Sequence, residues 1–108
     1  MKLSKMIESI DPIIRIDAEE LLKAKNFYSL LKTGKEYEAL IFFEDGPLLP
    51  LVVMDRKQRI LGYECQCDEG GYYDICVHMA ATLLGIERMV RGGCLNHYEI
   101  MGIPEAWA

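Results

Sequence analysis

Positive charge is scarce in this chain. Twelve Lys and Arg stand against seventeen Asp and Glu, a formal net charge of −5 at pH 7. Sequence-independent attraction of the whole molecule to nucleic acid is therefore not expected. Long apolar runs are missing too: none approaches the 18 or so residues that span a membrane, so no membrane association is expected. Nothing at the N-terminus resembles a secretory signal, so an oxidising compartment is not indicated; the expected location is the cytoplasm, or the nucleus in a eukaryote. No low-complexity tract, linker or internal repeat is visible. The 108 residues then fit one domain, 1–108, with a core modest enough for a metal staple to matter.

Cysteine and histidine are few, four and two, and they are concentrated. Cys65, Cys67, Cys76 and His78 fall in one stretch, spaced C-x-C, eight residues, then C-x-H. Three thiolates and one imidazole suit a single tetrahedral zinc ion with every coordination place taken by protein. Cys65 and Cys67 end an apolar run that reads as a strand, where residues i and i+2 point to one face. Cys76 and His78 stand where a helix begins. Inside a helix, a spacing of two sets side chains about 200° apart, so Cys76 is expected at or before the cap and His78 in the first turn. Gly70-Gly71 gives the loop between the two pairs its freedom to turn back.

Other readings of these cysteines are iron–sulfur ligation, redox chemistry or inert buried thiols. A Cys65–Cys67 disulfide needs Cβ atoms about 4 Å apart, whereas parallel side chains two along a strand sit nearer about 7 Å. A C-x-x-C dithiol is absent.

Along the chain, Leu3, Met6, Ile7 and Ile10 have helical spacing, and Asp11-Pro12 interrupts it. Asp17 and Glu20 read as a capping box opening a helix to about Lys32, with Gly34 just past its end. From Glu36 the pattern becomes strand: 37–43, then 49–54 with Pro50 marking an edge or a late start, then 59–67, with turns at Asp45-Gly46-Pro47 and 55–58. A final helix presents Met79, Leu83, Ile86 and Val90 on one face, turns Glu87, Arg88 and Arg91 towards water, and ends at Gly92-Gly93. The expected fold is α+β. An N-terminal helical part covers about 1–34; a zinc module over about 36–92 joins a three-stranded antiparallel meander to a zinc-stapled C-terminal helix.

At Cys65-Gln66-Cys67 and Cys76-Val77-His78-Met79-Ala80-Ala81 the chain resembles the SWIM zinc-binding family. That family's pattern is C-x-C, a spacer, then C-x-H with an alanine three residues on, here Ala81; Leu83-Leu84 continue the usual apolar helix. Compact chains of this kind are similar to small SWIM recombination-mediator subunits. The resemblance implies an accessory protein that partners a RecA-like paralogue in DNA recombination or repair, meeting DNA indirectly or weakly.

Two function classes follow, an interaction adaptor and a self-sufficient nucleic-acid-binding finger or regulator. Glu64, Asp68, Glu69 and Asp74 surround the ligands, with no Lys or Arg between Gly62 and His78, so phosphate is repelled there. Any DNA contact is expected at Arg56, Lys57 and Arg59 on a hairpin tip, or at Arg88 and Arg91 on the helix. Solvated surface charge is the alternative for both sets. No enzyme is expected. A zinc with four protein ligands activates no water, the P-C-x-x-C of zinc deaminases is missing, and Cys94 and His97 lack an evident orienting carboxylate. Cys94 or His97 substitutes as a ligand if His78 is turned away. The apolar tail, 98–108, is expected to fold back onto the domain, or to use Trp107 to anchor a partner or a second copy.

Overall fold

The computed structural model describes residues 1–43, 46–67 and 75–92, without the Phe43 and Gly92 side chains. The Gly70-Gly71 turn, Asp45, Asp68, Glu69, Asp74, Gly93, Cys94, His97 and the 98–108 tail lie outside the described residues.

Helix α1, Leu3–Glu8, buries Leu3, Met6 and Ile7 as its spacing demands. Its start is fastened to the sheet: the Leu3 amide donates to the Gln58 carbonyl at 2.8 Å and the Ile60 amide to the Met1 carbonyl at 2.7 Å. Helix α2, Pro12–Lys23, begins where the sequence reads as a break. Asp11 accepts from the Ile13 amide at 2.9 Å, and Pro12 takes a first-turn position, where a missing N–H leaves nothing unpaired. Asp11-Pro12 thus opens α2, while α1 has already ended at Glu8 with Ser9 as its cap. The Asp17 and Glu20 pair lies inside α2 instead of starting a helix.

The helix expected to run on to Lys32 stops at Lys23, and Phe27–Thr33 form strand β1. Here tertiary pairing overrides a helix-compatible pattern. Leu30 lies opposite Ala39 and Leu31 opposite Glu38 in an antiparallel ladder with β2, Glu36–Phe43. Tyr28 meets Phe42 edge-on at 5.3 Å between ring centroids, a contact favourable by about 0.5–1.5 kcal/mol beyond area burial. Gly34, at φ +61°, forms the β1–β2 turn rather than a helix end.

The remaining strands are β3 (Gly46–Leu48), β4 (Leu51–Met54) and β5 (Ile60–Glu64). The sheet is antiparallel, ordered β1-β2-β4-β5, with β3 paired to the far half of β2. Among the described residues it has five strands where three were expected. The additions are β1 and the short β3, which is cut from β4 at Leu49-Pro50. Pro50 marks a late start and not an edge: β4 begins after it, between β2 and β5.

One helix, α3 (Val77–Gly92), lies against α2, α1 and one sheet face. Met79, Leu83 and Ile86 are buried as expected, with Ala80, Ala81, Leu84 and Met89 beside them. They meet Leu22 of α2 and Leu30, Ala39, Ile41 and Val52 of the sheet in one core. Gly85 permits the close approach, since a Cβ there would lie 3.0 Å from Leu30 Cδ2 and 3.3 Å from Leu22 Cδ1. Val90, expected on the packed face, is 41 % exposed, because the last turn of α3 reaches an open cleft beside the β-turns. Among the described residues no helix is long and apolar enough to cross a membrane.

Candidate metal centre

The end of strand β5 and the start of helix α3 bring the four candidate ligands to one point. The chain leaves β5 at Glu64, opposite Leu51, so Cys65 and Cys67 lie just past the strand rather than within it. The Gln66 side chain turns the other way and accepts from the Leu49 amide at 3.2 Å. This bond carries the path beyond the last strand pair, leaving Cys65 and Cys67 half-buried against the core.

On the helix side Cys76 is the cap. Its carbonyl accepts from the Ala80 amide at 2.8 Å, and its Sγ accepts from the Met79 amide at 3.4 Å. That is the place of a Ser or Asp oxygen in an ordinary N-cap, and the positive end of the helix favours a thiolate there. His78 falls in the first turn, 7 % exposed. Its carbonyl accepts from the Thr82 hydroxyl at 2.8 Å. The ring points to the cysteines, with Nδ1 3.9 Å from Cys65 Sγ. The expected positions of Cys76 and His78 are those observed.

The donor atoms of Cys65, Cys67, Cys76 and His78 all lie within 4.8 Å of one another. Tetrahedral zinc at ordinary bond lengths sets sulfurs about 3.8 Å apart, so the cluster is close to the size such an ion needs. Among the described residues, Cys65, Cys67 and Cys76 form no disulfide. The Cys76 thiol is held well below the ordinary range, first by the hydrogen bond from Cys65 and further by His78 and the Met79 amide, against the cost of burial. The Cys65 thiol moves the opposite way, because Cys76 holds its proton and because burial disfavours its charge. Both sulfurs can be thiolates at once only with a cation between them. Soft donors in this number fit zinc or a similar transition metal and not magnesium or calcium.

The basic residues are placed elsewhere. Arg56, Lys57 and Arg59 sit at the β4–β5 turn, where Arg59 Nε donates to Asp55 Oδ2 at 2.7 Å. Arg88 faces Glu19 at 3.8 Å and Arg91 faces Glu87 at 3.9 Å. Exposed pairs of this kind contribute at most about 1 kcal/mol. One contributor to the centre escapes a reading by motif, the Gln66 tether. Cys76 is expected at or before the cap, and the structure adds that its Sγ accepts from the Met79 amide.

Comparison of the chain with protein-family models, with curated proteins and with solved structures gives no match.

Proposed function

We propose that Cys65, Cys67, Cys76 and His78 bind one structural zinc ion, and that the chain is a zinc-stapled interaction adaptor without catalytic activity. The convergence of four soft donors within 4.8 Å carries the metal reading. Four protein ligands leave no place for a water to be activated, so the ion joins the end of β5 to the start of α3 and does no chemistry. The adaptor role rests on the resemblance to SWIM chains, which points to a RecA-like partner in DNA recombination or repair. Ala81, at the alanine position of that pattern, is fully buried in the core. Ile13 and Ile16, one turn apart on α2, are 72 % and 63 % exposed, and paired apolar residues on an outward helix face suit a protein partner.

The test has two arms. Elemental analysis of purified chain is expected to find one zinc per chain, and its absence refutes the metal reading. Tagged chain recovered from its native host is expected to bring down a RecA-like protein, and Ile13→Asp with Ile16→Asp is expected to abolish that recovery while zinc content is kept. Recovery unaffected by the double change, or of no such protein, refutes the adaptor reading alone.

A further inference from the structure

Strand β5 runs from the β4–β5 turn to the cysteines, so that turn lies at the far end of the sheet from the metal centre. The β1–β2 turn lies beside it, tied by the Met54 amide donating to the Lys35 carbonyl at 2.9 Å. Between the two turns is a cleft of about 560 Å³, lined by Lys32, Lys35, Tyr37, Asp55, Arg56 and Gln58, with Gly34, Met54 and Val90 completing it. Three of these residues are cations. The one acidic residue among them is engaged: Asp55 accepts from the Lys57 and Arg59 amides, both at 2.9 Å, and from Arg59 Nε at 2.7 Å. Lys32, Lys35 and Arg56 therefore face one cavity with no carboxylate among the described residues answering them, on a chain of net charge −5. Like charges gathered this way repel one another, and an anionic ligand offsets that cost.

We propose that this cleft binds a ligand carrying two or more phosphate charges. A carboxylate is planar and can be satisfied within one short segment, as Asp55 is in this same turn by the Lys57 and Arg59 amides and one Arg59 side-chain N–H. A phosphate offers oxygens in several directions and can accept from cations on three separate segments. Here those are the end of β1, the β1–β2 turn and the β4–β5 turn. Lys32 Nζ stands 5.7 Å from the centroid of the Tyr37 ring, which helps to position it. That ring is 6 % exposed, so it offers no open face on which a base could stack. Recognition is of phosphate and carries no base preference. The site stands apart from the zinc and adaptor readings and survives the failure of either.

The experiment is fluorescence anisotropy of a labelled oligothymidylate titrated with the full chain at low salt, with pyrophosphate, ATP and polyglutamate as competitors. With three cations on a single strand, raising salt from about 50 to 200 mM is expected to weaken binding about 20-fold. Lys35→Glu with Arg56→Glu is expected to weaken binding more than about tenfold, and Lys35→Gln with Arg56→Gln to weaken it less, both with unchanged CD. Arg15→Glu, an exposed cation on α2, is expected to change little. Direct binding of the oligonucleotide assigns a strand backbone. Tight pyrophosphate or ATP binding in its place, followed by calorimetry, assigns a small phosphate ligand. The proposal is overturned if polyglutamate competes as well as ATP, if Arg15→Glu costs as much as the cleft variants, or if no phosphate ligand binds at low salt.

Discussion

Substitution of Cys76 separates two roles that one sulfur combines. In the proposed zinc site it is one of four donors, and a structural zinc contributes on the order of 10 kcal/mol of apparent folding free energy. As the cap of α3, accepting from the Met79 amide, it contributes about 1 kcal/mol. A domain of 108 residues has a total stability of about 5–16 kcal/mol. Loss of the cap is therefore tolerable and loss of the metal is not. Cys76→Ala removes both roles. Cys76→Ser keeps a good N-cap oxygen but supplies no thiolate. If the metal dominates, the two variants fail alike: neither retains zinc, and both lose the cooperative transition in CD-monitored thermal melts, as does wild-type chain treated with a strong chelator. If the cap dominates, Cys76→Ser melts close to wild type and Cys76→Ala lies about 1 kcal/mol below it. A cooperative, native-like melt for Cys76→Ser or for chelated wild type refutes the reasoning.

Other outcomes follow from the packing and the β4–β5 turn. Leu30→Ala, at a fully buried position facing α3, is expected to cost about 2–5 kcal/mol in urea denaturation; a change near zero contradicts the place of β1 in the core. Gly85→Ala gains about 1 kcal/mol of helix propensity but forces a methyl against Leu30 and Leu22, an overpacking cost of about 1–3 kcal/mol. A lower Tm is expected, and a higher one shows that Leu30 yields. Asp55 is held below its ordinary 3.8, first by the Arg59 amide, so its contribution is fully present above that value and is lost as pH falls through the lower folded one. The stability gap between wild type and Asp55→Asn should stay constant from pH 7 to about pH 4; a gap that closes between pH 7 and pH 5 contradicts this.

How much of the molecule can be read from its residues depends on the range of the forces involved. Leu3, Met6 and Ile7 announce α1 because the 3.6-residue period is a local property, and Met79, Leu83 and Ile86 announce α3 for the same reason. Phe27–Thr33 carry no such mark. Their apolar residues serve a helix or a strand equally, and the choice falls to the ladder with β2, a partner beyond the Gly34 turn that presents Ala39 and Ile41 to the same core. Lys32, read with a helix, then finds itself beside Lys35 and Arg56 across two turns.

The convergence of Cys65, Cys67, Cys76 and His78 was legible in the sequence alone, because donor type and the C-x-C and C-x-H spacings are covalent facts that a strand end and a helix start turn directly into geometry. Tertiary structure decided what those spacings do not contain. It made Phe27–Thr33 a strand, left Val90 in the open, swung Gln66 onto the Leu49 amide and drew three cations around one cleft. Each of these depends on a partner that only the folded chain brings within reach, and the energy of such a meeting resides in the contact, not in either segment before it forms.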